Sequence, residues 1–278
     1  MSRFFRGSIL PLFALFAFVF FFSVLPSLEA RGADPGKPIS PCRIHYPSDE
    51  RVEWECRRLK RGETLETLFG DRWIDVARFN RIDRRHAYPG VALKVPLRSE
   101  EISDFSPMPA EIPEAASEPR WILVDLSEQF LGAYEYGRLV FSAPIAAGEK
   151  GNETPAGEFR ITAFDRDHRS SLYQIEKTQI PYPMRYGLRF HISPEGVSYW
   201  IHGRDIPGYP ASHGCIGLYD EAMQKEYYGV PEDPVLDDAR RLFEWVVDPA
   251  LDDGKFHLLR EGHMMRIVGK GPEVSGDR

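Results

Sequence analysis

Tyr199-Trp200-Ile201-His202-Gly203 and Ser212-His213-Gly214-Cys215-Ile216 are the two segments on which the reading of this chain turns. The first is an apolar strand pattern that ends in a histidine and a glycine, so a rigid element aims the imidazole. The second sets a cysteine directly after a glycine. A free thiol with a pKa of about 8.5 is mostly protonated near neutrality, and a neighbouring imidazole removes that proton or pairs with the thiolate. Cys215 is therefore the candidate nucleophile and His202 the candidate base, with the Gly203 carbonyl placed to orient the other ring nitrogen. Gly214 keeps side-chain volume away from the sulfur. The N–H groups of Gly214 and Cys215 are thus candidates to face a developing oxyanion. His213 has three readings: it tunes the thiolate, binds substrate or makes a structural hydrogen bond.

Each piece also has a plainer reading. A lone cysteine is most often a small buried hydrophobe, and a lone histidine a satisfied polar group. His202, His213 and Cys215 are all zinc-competent, but no His-x-x-x-His or Cys-x-x-Cys spacing accompanies them, and neither metal nor cofactor is expected. The cluster itself favours catalysis.

The rest of the chain bears on that thiol. Arg3 and Arg6 precede the apolar run Ile9 to Leu25, and Leu28-Glu29-Ala30 follows. Residues 1–30 read as a secretory signal peptide, or, uncleaved, as an anchor through residues 9–25. Either way the remainder is exported, to the periplasm or cell envelope. In an oxidising compartment Cys42 and Cys56, near each other at the front of the mature chain, are expected to pair, leaving Cys215 free. The net charge of −7 argues against a nucleic-acid partner, since phosphates call for a basic surface.

Residues 31–50 read as an extended lead-in. A compact unit over 54–98 follows: a strand over 54–59, a helix over 64–69 capped by Gly70, a second helix from Trp73 to Phe79, and a closing strand over 92–96. Residues 99–119, with Pro107, Pro109, Pro113 and Pro119, read as a linker. The larger domain spans 120–268, and its short strands between Gly and Pro turns predict a β-sandwich or barrel. Pro234 to Val247 has helical periodicity. It lies within residues 220–253, where 11 acidic residues against 3 basic ones predict a solvated face. Phe256 to Val268 reads as a final hairpin.

Two resemblances follow from these residues. Gly62-Glu63-Thr64-Leu65, Asn80 and Pro89-Gly90-x-x-Leu93-x-Val95-Pro96 resemble a LysM module, with a first helix shorter than usual. Such modules bind N-acetylglucosamine-containing glycans, and the plainer alternative is an adaptor that only packs on the main domain. His202-Gly203 and Ser212-His213-Gly214-Cys215, with Thr154-Pro155-x-Gly157-x-Phe159 upstream, resemble the L,D-transpeptidase (YkuD-type) family over residues 120–268. The fold this implies is mainly β, a YkuD-like sandwich of mixed sheets with peripheral helices behind a small α+β module.

The family's nucleophile, base and orienting carbonyl fall on Cys215, His202 and Gly203. The resemblance implies a peptidoglycan tetrapeptide stem as donor, a thioester on Cys215, loss of D-Ala, and acylation of Cys215 by carbapenems. The acceptor is another stem's diaminopimelate, a lipoprotein lysine, a D-amino acid or water. Ser212, Met184, Arg185 and Tyr186 are candidate substrate contacts, although Arg185 in a surface salt bridge is the plainer reading. Gly217 stands where many members carry Arg or Asn, and the 203–212 loop is short. Two competing functions share these residues: a hydrolytic cysteine L,D-carboxypeptidase or amidase, and a non-catalytic glycan-binding wall protein.

Overall fold

The structure, a computed structural model, describes residues 39–175 and 177–272. The proposed signal or anchor lies outside the described residues. Among the described residues, no helix is long and apolar enough to cross a membrane.

The first unit is a strand pair with two short helices. β1 (Trp54–Arg58) precedes α1 (Leu65–Phe69), α2 (Trp73–Phe79) and β2 (Ala92–Pro96), and β2 pairs antiparallel with β1. The Thr64 side chain caps α1 by accepting from the Thr67 N–H, while Thr67 returns the bond to the Thr64 N–H. Gly70, at φ +53°, then ends the helix. Asn80 is buried and ties the two layers. Its amide donates to the Val76 and Lys94 carbonyls and accepts from the Lys94 N–H. Leu65, Val76, Phe79 and Leu93 close the small core.

Two segments expected to be loose are packed. Ile44, Tyr46, Ser48 and Asp49 of the lead-in are buried, and Cys42 is bonded to Cys56. Residues 99–119 form a strap rather than a free linker: Ile102, Met108, Ile112 and Ala115 are buried. The Ile112 N–H bonds the Gly137 carbonyl and the Leu139 N–H bonds that of Ala110. The prolines that suggested a linker also suit a strap, because they leave fewer backbone donors to satisfy.

The larger unit runs β3 (Trp121–Asp125), β4 (Phe130–Glu135), β5 (Arg138–Pro144), β6 (Gly157–Arg160) and β7 (Ala163–Asp165). A small hairpin of β8 (Arg169–Gln174) and β9 (Pro181–Pro183) follows, then β10 (Gly187–Ile192), β11 (Ser198–Arg204) and β12 (Ile216–Tyr219). The chain ends with α3 (Glu221–Tyr228), α4 (Asp238–Val246), β13 (His257–Leu258) and β14 (Met264–Val268). One sheet has the order β5-β4-β3-β14-β6 and the other β12-β11-β10-β7-β13. Both are mixed, with β3–β14 and β11–β12 parallel. The fold is the expected mainly β one. Its core is filled from both sheets by Ile122, Val124, Leu131, Phe164, Leu188, Ile201, Ile216 and Leu218, and closed by Leu242 and Phe243 of α4.

Three expectations need correction. The helix expected over 234–247 begins only at Asp238. The Val235 and Leu236 N–H groups bond the Glu221 carboxylate instead of a helical carbonyl. The acidic segment is not all solvated: Glu221 and Asp238 are buried, held by Arg84 and Arg78 respectively. The last two strands are not a hairpin, because β13 joins β7 in one sheet while β14 lies between β3 and β6 in the other. Gly262 permits that crossing, since a Cβ there would lie 1.6 Å from the Ile161 carbonyl oxygen.

Candidate active site

The parallel pair β11–β12 brings the two key segments together. Its register sets Ile201 against Ile216, His202 against Gly217, and Arg204 against Tyr219. Strand alternation then sorts the side chains. Tyr199, Ile201, Ile216 and Leu218 turn to the core. Trp200, His202 and Arg204 take the opposite face, as does Cys215, two residues before Gly217. Cys215 packs there, as Tyr182 does, against the cluster of Ala163, Met184 and Trp200. The only unbonded cysteine among the described residues thus lies on the face of the buried histidine.

The His202 Nδ1 is 2.8 Å from the Gly203 carbonyl oxygen. A carbonyl only accepts, so Nδ1 carries the proton and Nε2 keeps its lone pair. Burial, with Arg204 adding to it, pulls the His202 pKa down to about 3 against the opposing Gly203 bond. The imidazole is therefore neutral at any ordinary pH. Burial also pushes the Cys215 thiol up, which the Trp200 N–H and the Arg204 charge only partly offset. The resting pair is thiol and imidazole, not an ion pair.

Gly214 sits at φ +108°, and a Cβ there would meet the Tyr199 ring at 2.5 Å, so the turn before Cys215 admits only glycine. The Gly214 N–H donates to Ser212 Oγ at 3.1 Å, which leaves the Cys215 N–H as the candidate oxyanion donor. Ser212, expected to touch substrate, is buried, and its hydroxyl donates to the Cys215 carbonyl. It shapes the turn. Thr154 completes the support. Its hydroxyl donates to the Gly214 carbonyl and accepts from the Gly148 N–H, both at 2.9 Å. Sequence reading quoted Thr154 within a motif but gave it no role. Only the fold shows that it reaches across to residue 214.

The other candidates separate. Met184 lies in the cluster around Cys215. Arg185 pairs with Glu226 of α3. Tyr186 packs on Phe243 of α4, so it faces the helix side and not the thiol. His213 stacks on Tyr173 of the β8–β9 hairpin at 4.5 Å, with Glu149 3.8 Å from its Nε2. Tyr173 lies close enough to Cys215 for sulfur charge to raise its phenol, after the larger effect of burial. Tyr182 of the same hairpin packs on the cluster that also holds Cys215, which sets the hairpin beside the thiol. Two side chains not singled out from sequence also belong here: Arg204, whose stem lies across Gly217, and His168, stacked on Trp200 at 4.1 Å.

Residues 119–255 match the YkuD family, described as the L,D-transpeptidase catalytic domain. No curated protein matches the chain. Among solved structures, an L,D-transpeptidase from Xylanimonas cellulosilytica is 20% identical, with 76% of this chain and 98% of that one covered and a TM-score of 0.41. One from Stackebrandtia nassauensis is 18% identical, with 73% and 69% covered and a TM-score of 0.39. L,D-transpeptidase 1 of Mycobacterium tuberculosis is 18% identical, with 54% of this chain covered and a TM-score of 0.34. This chain spans 62% of the length of that mycobacterial protein.

Proposed function

From the YkuD-type L,D-transpeptidase catalytic domain that residues 119–255 carry, we propose that the protein is a cysteine acyltransferase acting on peptidoglycan stem peptides in the cell envelope. One observation carries the mechanism: a neutral buried imidazole, oriented through Nδ1, shares a sheet face with an unpaired thiol. As substrate enters, His202 Nε2 takes the Cys215 proton and the sulfur attacks the carbonyl of the residue before the leaving D-Ala. The resulting oxyanion accepts from the Cys215 N–H. His202 returns the proton to the departing amine, leaving a thioester. An acceptor amine then attacks, gives its proton to His202 and expels the thiolate, which is reprotonated.

A second stem's diaminopimelate or an envelope lipoprotein lysine supplies that amine. Both are acyl transfer through the same residues. Incubating a tetrapeptide muropeptide with and without an added amine tests the reading. Release of D-Ala with a new cross-linked or amine-capped product supports it. Release with only a tripeptide product, even with amine present, would favour the hydrolytic alternative.

A further inference from the structure

Arg204 and Gly217 face one another across the β11–β12 pair in a way the mechanism above does not use. A Cβ on Gly217 would lie 2.0 Å from both Cγ and Cδ of Arg204, so the arginine stem fills the space over residue 217. Residue 217 is the register partner of His202 and the second residue after Cys215. From there the guanidinium reaches the loop between base and nucleophile. Nε donates to the Asp205 carbonyl at 3.2 Å and Nη2 to the Ala211 carbonyl at 3.0 Å. Those carbonyls stand near the two ends of the segment leading into Ser212-His213-Gly214-Cys215. Arg204 has no carboxylate within ion-pair distance among the described residues. Asp205 is instead taken up by Gln224 and Arg85. The arginine thus keeps its charge for the site while bracing the loop.

We propose that Arg204 is a positioning residue of this active site, fixing the 205–211 loop and setting a positive charge beside Cys215, and that residue 217 is glycine to admit it. By the family resemblance, Gly217 stands where many members carry Arg or Asn. The geometry instead has a guanidinium entering the same space from the neighbouring strand. The effect on the thiol agrees, since Arg204 is the charged side chain that pulls its pKa down. Other titratable groups around the sulfur are His202 on β11, Tyr173 and Tyr182 on the β8–β9 hairpin, and His213, Glu149 and His168 on flanking loops. His202 is neutral throughout the range of the test.

The inference rests on Cys215 as nucleophile but not on any substrate. The test is therefore the pH–rate profile of Cys215 alkylation by iodoacetamide in the full chain. Arg204→Met should move the profile up by about one pH unit, slowing alkylation about tenfold at pH 8. Arg204→Lys, which keeps a charge, should stay within about twofold of wild type at that pH while losing turnover through the loosened loop. Gly217→Ala should reproduce the Arg204→Met shift by displacing the arginine, yet add nothing in the Arg204→Met background. An unshifted Gly217→Ala profile, or effects of the two substitutions that simply add, overturns the proposal. If Arg204→Met does not fold, Gly217→Ala and Arg204→Lys still decide it: both profiles coinciding with wild type refutes the charge, and a shift in Gly217→Ala alone supports it. Failure of muropeptide turnover in wild type would strike the functional reading and leave this result standing.

Discussion

At the residue scale the protonation of the proposed pair, Cys215 and His202, is set by burial more than by mutual attraction. Because the thiol is raised and the imidazole lowered, Cys215 is mostly protonated at neutrality. Wild-type alkylation should keep rising through and beyond about pH 8.5, the ordinary thiol value, with no plateau near neutrality. Stopped-flow thiol titration reads this directly, and a plateau below that value would indicate a resting ion pair. Gly214→Ala should cost more than 100-fold in turnover, because both the φ of +108° and the Tyr199 ring oppose a side chain. Cys215, His202 and the glycines were legible in the sequence because chemistry restricts which residue types can stand there. Thr154, Arg204 and the internal use of Ser212 were not, since each depends on which carbonyl a fold brings within 3 Å.

At the element scale, the loop between β11 and β12 is held from two sides. Arg204 braces it from within, and Asp83 of the N-terminal unit holds it from outside. The Asp83 carboxylate accepts from the Ile206 N–H and from Gln224, each at 2.7 Å. His86 lies 2.8 Å from the other carboxylate oxygen. Burial is the largest single effect on His86 and would lower its imidazole, but the Asp83 charge, the Asp83 hydrogen bond and the Asp205 charge together leave the group raised. Asp83 is lowered despite its own burial, chiefly by His86. Asp205 is raised by burial and by Asp83.

A raised imidazole adds stability that is complete below its unfolded value of about 6.5 and is lost as pH rises through the folded one. The raised Asp205 acts in the same direction, its share vanishing as pH climbs from its unfolded to its folded value. The lowered Asp83 works oppositely, adding stability above about 3.9 that vanishes as pH falls through its folded value. His86→Gln should therefore lower Tm by about 2–4 °C near pH 5.5 and by much less near pH 9, in thermal melts across pH. An equal loss at both would detach His86 from this joint. None of this was readable from sequence, where nothing about Asp83, His86 or Asp205 shows that the fold brings them together.

At the scale of the whole molecule, the N-terminal unit is built into the larger domain. Arg81 is fully buried over the Tyr46 ring at 3.9 Å. Its guanidinium reaches Ser48 of the lead-in at 2.8 Å and the Glu128 carboxylate beyond β3 at 3.1 Å. Removing one partner from such a buried network leaves an uncompensated charge, so Arg81→Ala should destabilise the entire chain by about 3–5 kcal/mol. Chemical denaturation should show a single transition shifted as a unit, while loss of only a minor early phase would mean the units are independent. Reducing Cys42–Cys56, which are 14 positions apart, should cost about 3 kcal/mol by releasing a short loop. The elements of the N-terminal unit were foreseen from periodicity and turn residues, whereas the β8–β9 hairpin, α3 and the separate sheets of β13 and β14 were not. The union of the two units stood only as the plainer of two readings of the first unit, because the buried charges that make it look like surface residues in a sequence.

The central claim is that Cys215 carries the acyl group and His202 moves its proton. Intact-protein mass spectrometry during turnover of a tetrapeptide muropeptide tests it most directly, run on wild type, Cys215→Ala and His202→Gln. Wild type should show a transient adduct of the stem less D-Ala on Cys215, with D-Ala released in step. Neither should appear in Cys215→Ala, and adduct formation should slow at least 100-fold in His202→Gln. Release of D-Ala by Cys215→Ala at the wild-type rate would contradict the claim.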